Sequence, residues 1–238
     1  YYASRGLGDV YKRQIDVIVI LGSGFVGALA YTFSDTFWFS AVEGEVYAFS
    51  SFLTALVFWM ILRWQDESDS VYGDRWIILI AYIIGLSIGG HLLNLLCIPA
   101  IVLVFYYQKY HAISFKGVAA AIVISGLLIV FILFVYIPGI ADMGGWFELL
   151  FVNVFGLPFH TGLIVFLTLT FLVLVGAIYR FRKRMLHTSL WCLLMLTVGY
   201  TTYAVILIRA NANTPLNENA PDLSLIHISE PTRRVVIS

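Results

Sequence analysis

Long apolar stretches alternate with short polar ones along most of this chain. The apolar runs lie near residues 15–33, 46–63, 76–107, 117–137, 161–179 and 188–208. Most of them approach the roughly 20 residues with which an α-helix crosses the hydrocarbon core of a bilayer. The pattern therefore predicts an all-α bundle of membrane-spanning helices.

The third run, 76–107, is too long for one ordinary span. It covers about 32 residues, and Gly89, Gly90, His91 and Asn94 interrupt it with two glycines and two polar side chains. Glycine weakens a helix, and such interruptions mark turns. The run is therefore a candidate for a short helical hairpin, which we place at 76–108, rather than for a single helix.

Basic residues decide between these two topologies. A single crossing would place the lysines of 109–116 opposite the arginines of 63–75. A hairpin instead gathers eight basic residues on one side, namely Arg63, Arg75, Lys109, Lys116, Arg180, Arg182, Lys183 and Arg184. Because short basic loops stay in the cytoplasm, we predict the hairpin, about seven transmembrane helices, and a cytoplasmic position for all eight.

Composition supports the membrane assignment and excludes other classes. Hydrophobic residues make up 61% of the chain and charged residues 12%, and the formal net charge is zero. The mean hydropathy is +0.91, whereas soluble domains carry roughly 25% charged residues. No basic field points to nucleic acid. Cys97 and Cys192 lie within apolar runs, as small buried hydrophobes do.

The opposite, non-cytoplasmic face receives the polar connections. We expect Ser34–Glu45, Gly90–Leu93, Pro138–His160 and everything after Arg209 on that face. Within the third of these, the aromatic stretch 145–153 is too short to span, and its carboxylate at Glu148 favours the interface. The transmembrane domain is thus 15–208, and 209–222 begins an external loop or domain.

An acidic pair, Glu43 and Glu45, lies at the outer end of the second predicted span. Carboxylates at a membrane surface can bind a cation, hold a phosphate-bound metal or act as acid and base. The alternative is that they cap a helix N-terminus, where the macrodipole favours anions. Tyr47, one turn after Glu43, is by itself typical of an aromatic-belt anchor.

His91 and Asn94 fall at the predicted hairpin turn. Ionisable residues at such depth usually face a cavity, a partner or water. Alternatively, both cap backbone groups that the turn releases. No second histidine stands at metal-ligand spacing, and no catalytic triad, phosphate-binding glycine loop or cysteine pair is present in the sequence.

The basic cluster Arg180–Arg184 is interpreted in two ways. It is first a determinant of topology. Contact with anionic lipids is the second interpretation.

The two ends of the chain resemble a translated DNA adapter of the kind used to prepare sequencing libraries. Ser4–Gln14 can be encoded by one strand of such an adapter, and Leu223–Arg233 by its reverse complement. We therefore expect residues 1–14 and 223–238 to be non-native and to add nothing to packing. The native part would then be an internal fragment of a longer protein.

Four ordered blocks of the chain stand out together, namely Ser34–Ala48, Gly85–Leu96, Gly145–Asn153 and Asn213–Pro221. Together they resemble the bacterial branch of the transmembrane protein O-mannosyltransferase-like family. The resemblance covers nearly all of 15–222. It implies a GT-C type glycosyltransferase bundle, here truncated, in a bacterial inner membrane with its active face towards the periplasm.

This resemblance also implies a reaction. The enzyme would move a sugar, mannose-like, from a polyprenyl-phosphate donor to Ser or Thr of exported acceptor proteins, with a divalent metal as a conceivable cofactor. Donor or substrate binding would fall to Glu43, Glu45, Tyr47, His91, Asn94, Asn217, Glu218 and Asn219. The family's catalytic base belongs to a first external loop that precedes this region, so we expect the fragment to be inactive alone.

A secondary transporter is the rival interpretation from another class. Intramembrane His and Asn residues beside broken helices also mark transport sites. Against it, the two halves of 15–208 show no internal repeat, and the predicted polar residues collect at one face.

Overall fold

A computed structural model describes residues 2–43, 46–70, 72–110 and 113–205 of the chain. Throughout these ranges the secondary structure is helical, without a strand, which confirms the all-α class. The chain divides into two compact units, residues 1–49 and 50–238.

The first unit contains two helices, α1 (Tyr2–Thr32) and α2 (Asp35–Val42). The predicted span near 15–33 corresponds to Gln14–Thr32, which is long and apolar enough to cross a membrane. Its backbone helix begins earlier than predicted, because residues 2–14 continue the same helix. At the turn to α2 the rings of Tyr31 and Phe37 lie 4.5 Å apart.

The second unit begins within α3 (Val46–Glu67) and adds six α-helices. They are α4 (Asp74–Ile88), α5 (Ile98–Lys109), α6 (Phe115–Phe131), α7 (Ile137–Leu149), α8 (Thr161–Arg180) and α9 (Arg184–Tyr200). Short 3₁₀ helices cover Leu92–Cys97 and Thr201–Tyr203, and π-helical turns cover Ile132–Tyr136 and Leu150–Val154. The hydrophobic core lies mainly between α3, α4 and α5.

Contacts along α5 show that the predicted hairpin is correct. Near its start, Asn94 accepts a hydrogen bond from Thr54 of α3 at 3.1 Å. At its end, Gln108 donates to Ser68, just beyond α3, at 2.7 Å. α5 therefore runs parallel to α3, and its end lies near the end of the unit at which α4 begins. This arrangement requires the chain to reverse direction between α4 and α5.

Charged residues gather at that end of the unit, which we call the basic end. Arg184 at the start of α9 forms an ion pair with Asp74 at the start of α4, with Nε 3.1 Å from Oδ2. Arg75 reaches Glu67 at 2.7 Å, and Tyr106 accepts a hydrogen bond from the backbone of Ser114 at 3.3 Å. The predicted gathering of basic residues on one side is confirmed. The opposite end, with Gly89–His91, is called the turn end.

α4 and α9 pack most closely in this unit. A Cβ on Gly85 would lie 2.2 Å from the carbonyl oxygen of Leu196, and one on Gly199 would lie 2.4 Å from that of Tyr82. Only glycine permits two backbones this near each other, which is the usual way that membrane helices maximise their contact.

The helix that was predicted to end near residue 137 continues further. Phe115–Val154 is one run of 40 residues in helical conformation, about 60 Å at 1.5 Å per residue and so about twice the hydrocarbon core. Pro138 stands in the first turn of α7, directly after a π-helical turn in which Ile137 donates to the carbonyl of Ile132. The wider turn admits the proline without ending the helix.

Among the described residues, five helices are long and apolar enough to span a membrane. They are Gln14–Thr32, Val46–Glu67, Leu92–Lys109, Phe115–Val154 and Thr161–Arg180. The prediction of about seven also counts α4 and α9, which are shorter, with 15 and 17 residues.

Candidate functional site

His91 closes the turn between α4 and α5. Its backbone is extended, with φ −155° and ψ 135°, and its Nδ1 accepts a hydrogen bond from the backbone N–H of Leu93 at 3.1 Å. The side chain of Ser87 donates to the carbonyl of His91 at 3.0 Å. The capping alternative is therefore confirmed for His91, whose ring is held in one orientation at the turn.

Asn94, one turn later, lies inside the bundle rather than at its surface. Only 1% of the residue is exposed. Its Oδ1 accepts hydrogen bonds from Thr54 Oγ1 at 3.1 Å and from Cys97 Sγ at 3.3 Å. The amide thus joins the turn to α3, and it does not cap the turn's backbone as His91 does.

Two buried polar atoms near this link have no hydrogen-bond partner within the described ranges. They are the Nδ2 of Asn94 and the Oγ of Ser50, one helical turn before Thr54. An unsatisfied buried donor costs about 1–3 kcal/mol, and such atoms often bind an ordered water or a ligand group. Asn94 and Ser50 can therefore form more hydrogen bonds than they form with the described residues.

The acidic pair is described only in part. Glu43 is exposed at the C-terminal cap of α2, where its backbone N–H donates to Phe39 at 3.0 Å. A carboxylate gains nothing from the macrodipole at a helix C-terminus. Glu45 lies outside the described residues, so the role of the pair stays a prediction, and Tyr47 is an exposed residue of the first turn of α3.

The remaining predicted binding residues fall outside the described part of the chain. These are Asn217, Glu218 and Asn219. Glu43 and Tyr47 belong to the first unit and His91 and Asn94 to the second. Within the described ranges, no group of three or more His, Cys, Asp or Glu side chains is arranged to hold a metal ion.

Glu148 is a buried carboxylate that the sequence assigned to the membrane interface. Only 3% of the residue is exposed. Its Oε2 accepts a hydrogen bond from the backbone of Leu163 at 3.0 Å, and its Oε1 accepts one from that of His160. It therefore caps the N-terminus of α8, where unpaired N–H groups and the helix dipole favour an anion.

Local backbone geometry makes this cap possible. His160 adopts the left-handed conformation, with φ 71°, directly before α8. A Cβ on Gly162 would lie 2.4 Å from the carbonyl oxygen of Phe147, so α7 and α8 meet closely there. The sequence signal that could have revealed the cap is a single acid in an apolar stretch, followed by a helix whose N-cap residue is His160 rather than Ser, Thr, Asp or Asn.

Comparison with known proteins gives one family. Residues 7–114 match the family model of the protein O-mannosyl-transferase TMEM260 N-terminal domain. The match supports the O-mannosyltransferase-like family, and it includes Glu43, Glu45, Tyr47, His91 and Asn94. It begins within the segment 1–14 that the sequence suggested to be adapter-derived. Searches of curated proteins and of solved structures each gave no match.

Proposed function

We propose that this chain is part of a membrane glycosyltransferase of GT-C type. In this proposal the enzyme transfers a mannose-like sugar from a polyprenyl-phosphate donor to Ser or Thr of exported proteins, at the periplasmic face of a bacterial inner membrane. The observation that carries the proposal is the O-mannosyltransferase family match over residues 7–114. The helical bundle with several long apolar helices supports it.

The reaction sets clear physical requirements. The acceptor hydroxyl oxygen bonds to the anomeric carbon of the sugar while the bond from that carbon to the phosphate oxygen breaks. A base takes the hydroxyl proton. The remaining protein must align donor and acceptor and stabilise the negative charge that develops on the leaving phosphate.

Glu43 and Glu45 are our candidates for the donor side of the site. A carboxylate cannot itself stabilise a phosphate, so the pair would act by holding a divalent metal or a cationic group beside it. The carboxylate of Glu43 is exposed, and no ion pair or hydrogen bond joins it to another described side chain, which leaves it available for such a ligand. Tyr47 and the residues 217–219 are proposed to complete the donor or substrate contacts.

His91 and Asn94 receive different roles in donor or substrate binding. The ring of His91 is proposed to contact substrate from the turn end. Asn94 is proposed as a positioning residue, because its amide is buried and bonded to Thr54 and Cys97. A turn fixed in this way meets the need for polar groups that are already oriented before reaction.

The test measures sugar transfer from a polyprenyl-linked donor to an acceptor peptide in membranes that contain the full-length protein. Glu43→Gln and Glu45→Gln keep side-chain size and remove a charge, and loss of one such electrostatic contact commonly lowers the rate by about 10²–10³. Asp35→Asn, which removes an exposed carboxylate from the first turn of α2, is the matched control and should transfer at the native rate.

If both Gln variants transfer at the native rate, the acidic pair is not part of the donor site. Absence of transfer by the full-length native protein would contradict the glycosyltransferase assignment itself.

A further inference from the structure

A small groove opens between the end of α8 and the start of α9, at the basic end. Its volume is about 190 Å³, and it is lined by Val175, Ile178, Tyr179, Arg182, His187 and Trp191. Arg182, His187 and Trp191 carry N–H donors, Tyr179 carries a hydroxyl, and Val175 and Ile178 are aliphatic. The groove is therefore amphipathic, with polar nitrogen groups near the connection 181–183 and apolar walls further along both helices.

Arg182 brings positive charge to the groove. Its Nε donates to the backbone carbonyl of Tyr179 at 3.3 Å, which fixes the guanidinium beside the groove. Within the described residues, no carboxylate forms an ion pair with Arg180, Arg182 or Lys183, whereas Arg184 is bound to Asp74.

The two faces of α9 make different contacts near its start. Arg184 and Thr188, one turn apart, both bond to Asp74 on the side of α4. His187 and Trp191, also one turn apart, face α8 and line the groove. Their rings contact each other edge to face at 6.4 Å, which holds the imidazole in place.

The start of α9 adds a further attraction for anions. Lys183 precedes the helix with an extended backbone, and no side chain caps the first turn. The unpaired N–H groups and the positive end of the helix dipole of this 17-residue helix point towards the same connection as Arg182.

We propose that this groove binds the phosphate of an anionic phospholipid headgroup. The phosphate would lie between Arg182 and His187, and the upper part of an acyl chain would follow Val175 and Ile178. A lipid is favoured over a soluble phosphate because Val175 and Ile178 give the groove an apolar wall beside its charged groups. Basic grooves between membrane helices on the cytoplasmic side bind such headgroups. This inference does not depend on the proposed glycosyl transfer.

The test is native mass spectrometry of the purified 238-residue chain in detergent, with dioleoylphosphatidylglycerol or dioleoylphosphatidylcholine added at equal concentration. We expect retention of phosphatidylglycerol over phosphatidylcholine. Arg182→Gln should lower the retained phosphatidylglycerol about fivefold, the effect of one basic residue at an anionic surface. Arg180→Gln removes the same charge from the neighbouring turn, outside the groove, and should change retention much less.

Other outcomes would overturn the proposal. Equal losses in Arg182→Gln and Arg180→Gln would mean general attraction to basic charge, and equal retention of both lipids would mean no headgroup recognition. Displacement of the lipid by glycerol 3-phosphate at matched concentration would mean a soluble phosphate ligand. His187→Leu provides a second variant with the same expected direction, should Arg182→Gln fail to retain the native helix content by circular dichroism.

Discussion

The two ends of the second unit are held together by opposite kinds of interaction. At the turn end, Asn94 is 1% exposed and bonds to the neutral side chains of Thr54 and Cys97. At the basic end, Asp74 and Arg184 form a charged pair whose side chains are 32% and 70% exposed. One end relies on buried dipoles and the other on solvated charges.

The two kinds of interaction affect different properties, one the stability of the bundle and the other its orientation in the membrane. A buried hydrogen bond is not screened, and removing one partner leaves the other unsatisfied, so it contributes more than its net strength suggests. An exposed ion pair contributes about 0–1 kcal/mol and weakens in salt. We infer that the turn end stabilises the bundle, while the charges of the basic end mainly determine which side of the membrane it occupies.

The contact of α4 with α9 links both ends, so breaking it should have the largest effect. Gly85→Val would place a Cβ 2.2 Å from the carbonyl oxygen of Leu196, and we expect a loss of about 3 kcal/mol or more, or failure to fold. Gly126→Val is the matched control, because no atom lies within 4 Å of its Cβ position. Unfolding by sodium dodecyl sulfate titration measures both, and equal behaviour would contradict the close packing.

Asn94→Ala tests the turn end and should have the next largest effect. We expect a loss of about 2 kcal/mol, because the hydroxyl of Thr54 and the thiol of Cys97 lose their acceptor. Leu96→Ala, at a neighbouring residue that is 67% exposed, should change the unfolding free energy far less. A loss in Asn94→Ala no greater than in Leu96→Ala would show that the buried amide does not hold the turn.

The turn between α4 and α5 could be predicted because its signals are residue types that can be read directly along the sequence. Gly89 and Gly90 interrupt an apolar run, and the charge of Lys109 has to lie with that of Arg75, so topology followed from composition and basic residues alone. The bond from Asn94 to Thr54 joins residues 40 positions apart. Such a pairing depends on how α3 and α5 are rotated, which periodicity in these mostly apolar helices does not reveal.

Two features of the long helix could not be predicted from the sequence, for a related reason. Pro138 was expected to end a span, yet the preceding π-helical turn accommodates it. Glu148 was expected in the interface because a carboxylate avoids lipid, yet the backbone of α8 supplies its hydrogen bonds. In both cases the sequence shows a side chain that is hard to accommodate in an apolar helix. A neighbouring segment accommodates it, and the sequence does not reveal the position of that segment. The roles of Glu43 and Glu45 stay predictions.

Asp74→Asn tests the basic end and should have the smallest effect on stability. We expect a loss below about 1 kcal/mol that shrinks further in high salt. Asp142→Asn, which removes an exposed carboxylate from α7, is the matched control. A loss as large as that of Asn94→Ala would contradict the contrast between the two ends.

The same ion pair predicts a pH dependence. The hydrogen bond from Arg184 holds the pKa of the Asp74 carboxyl below its ordinary value of 3.8, although partial burial opposes this. A lowered pKa in the folded state means that the stabilisation is complete above the ordinary value and is lost as pH falls through the lower one. The difference in unfolding free energy between the native protein and Asp74→Asn should therefore be constant from about pH 5 to about pH 7, since this range lies above the ordinary Asp pKa of about 4. The difference should disappear in stronger acid. A difference that grows on acidification would contradict this assignment.

The most direct test of the account asks on which side of the membrane each end lies. Ser114→Cys marks the basic end and His160→Cys the start of α8, at the opposite end of that helix from Arg180. In intact cells, a membrane-impermeant thiol reagent should label His160→Cys and leave Ser114→Cys unlabelled until the cells are opened. Labelling of Ser114→Cys from outside intact cells would contradict the cytoplasmic basic end and, with it, the placement of the proposed site on the outer face.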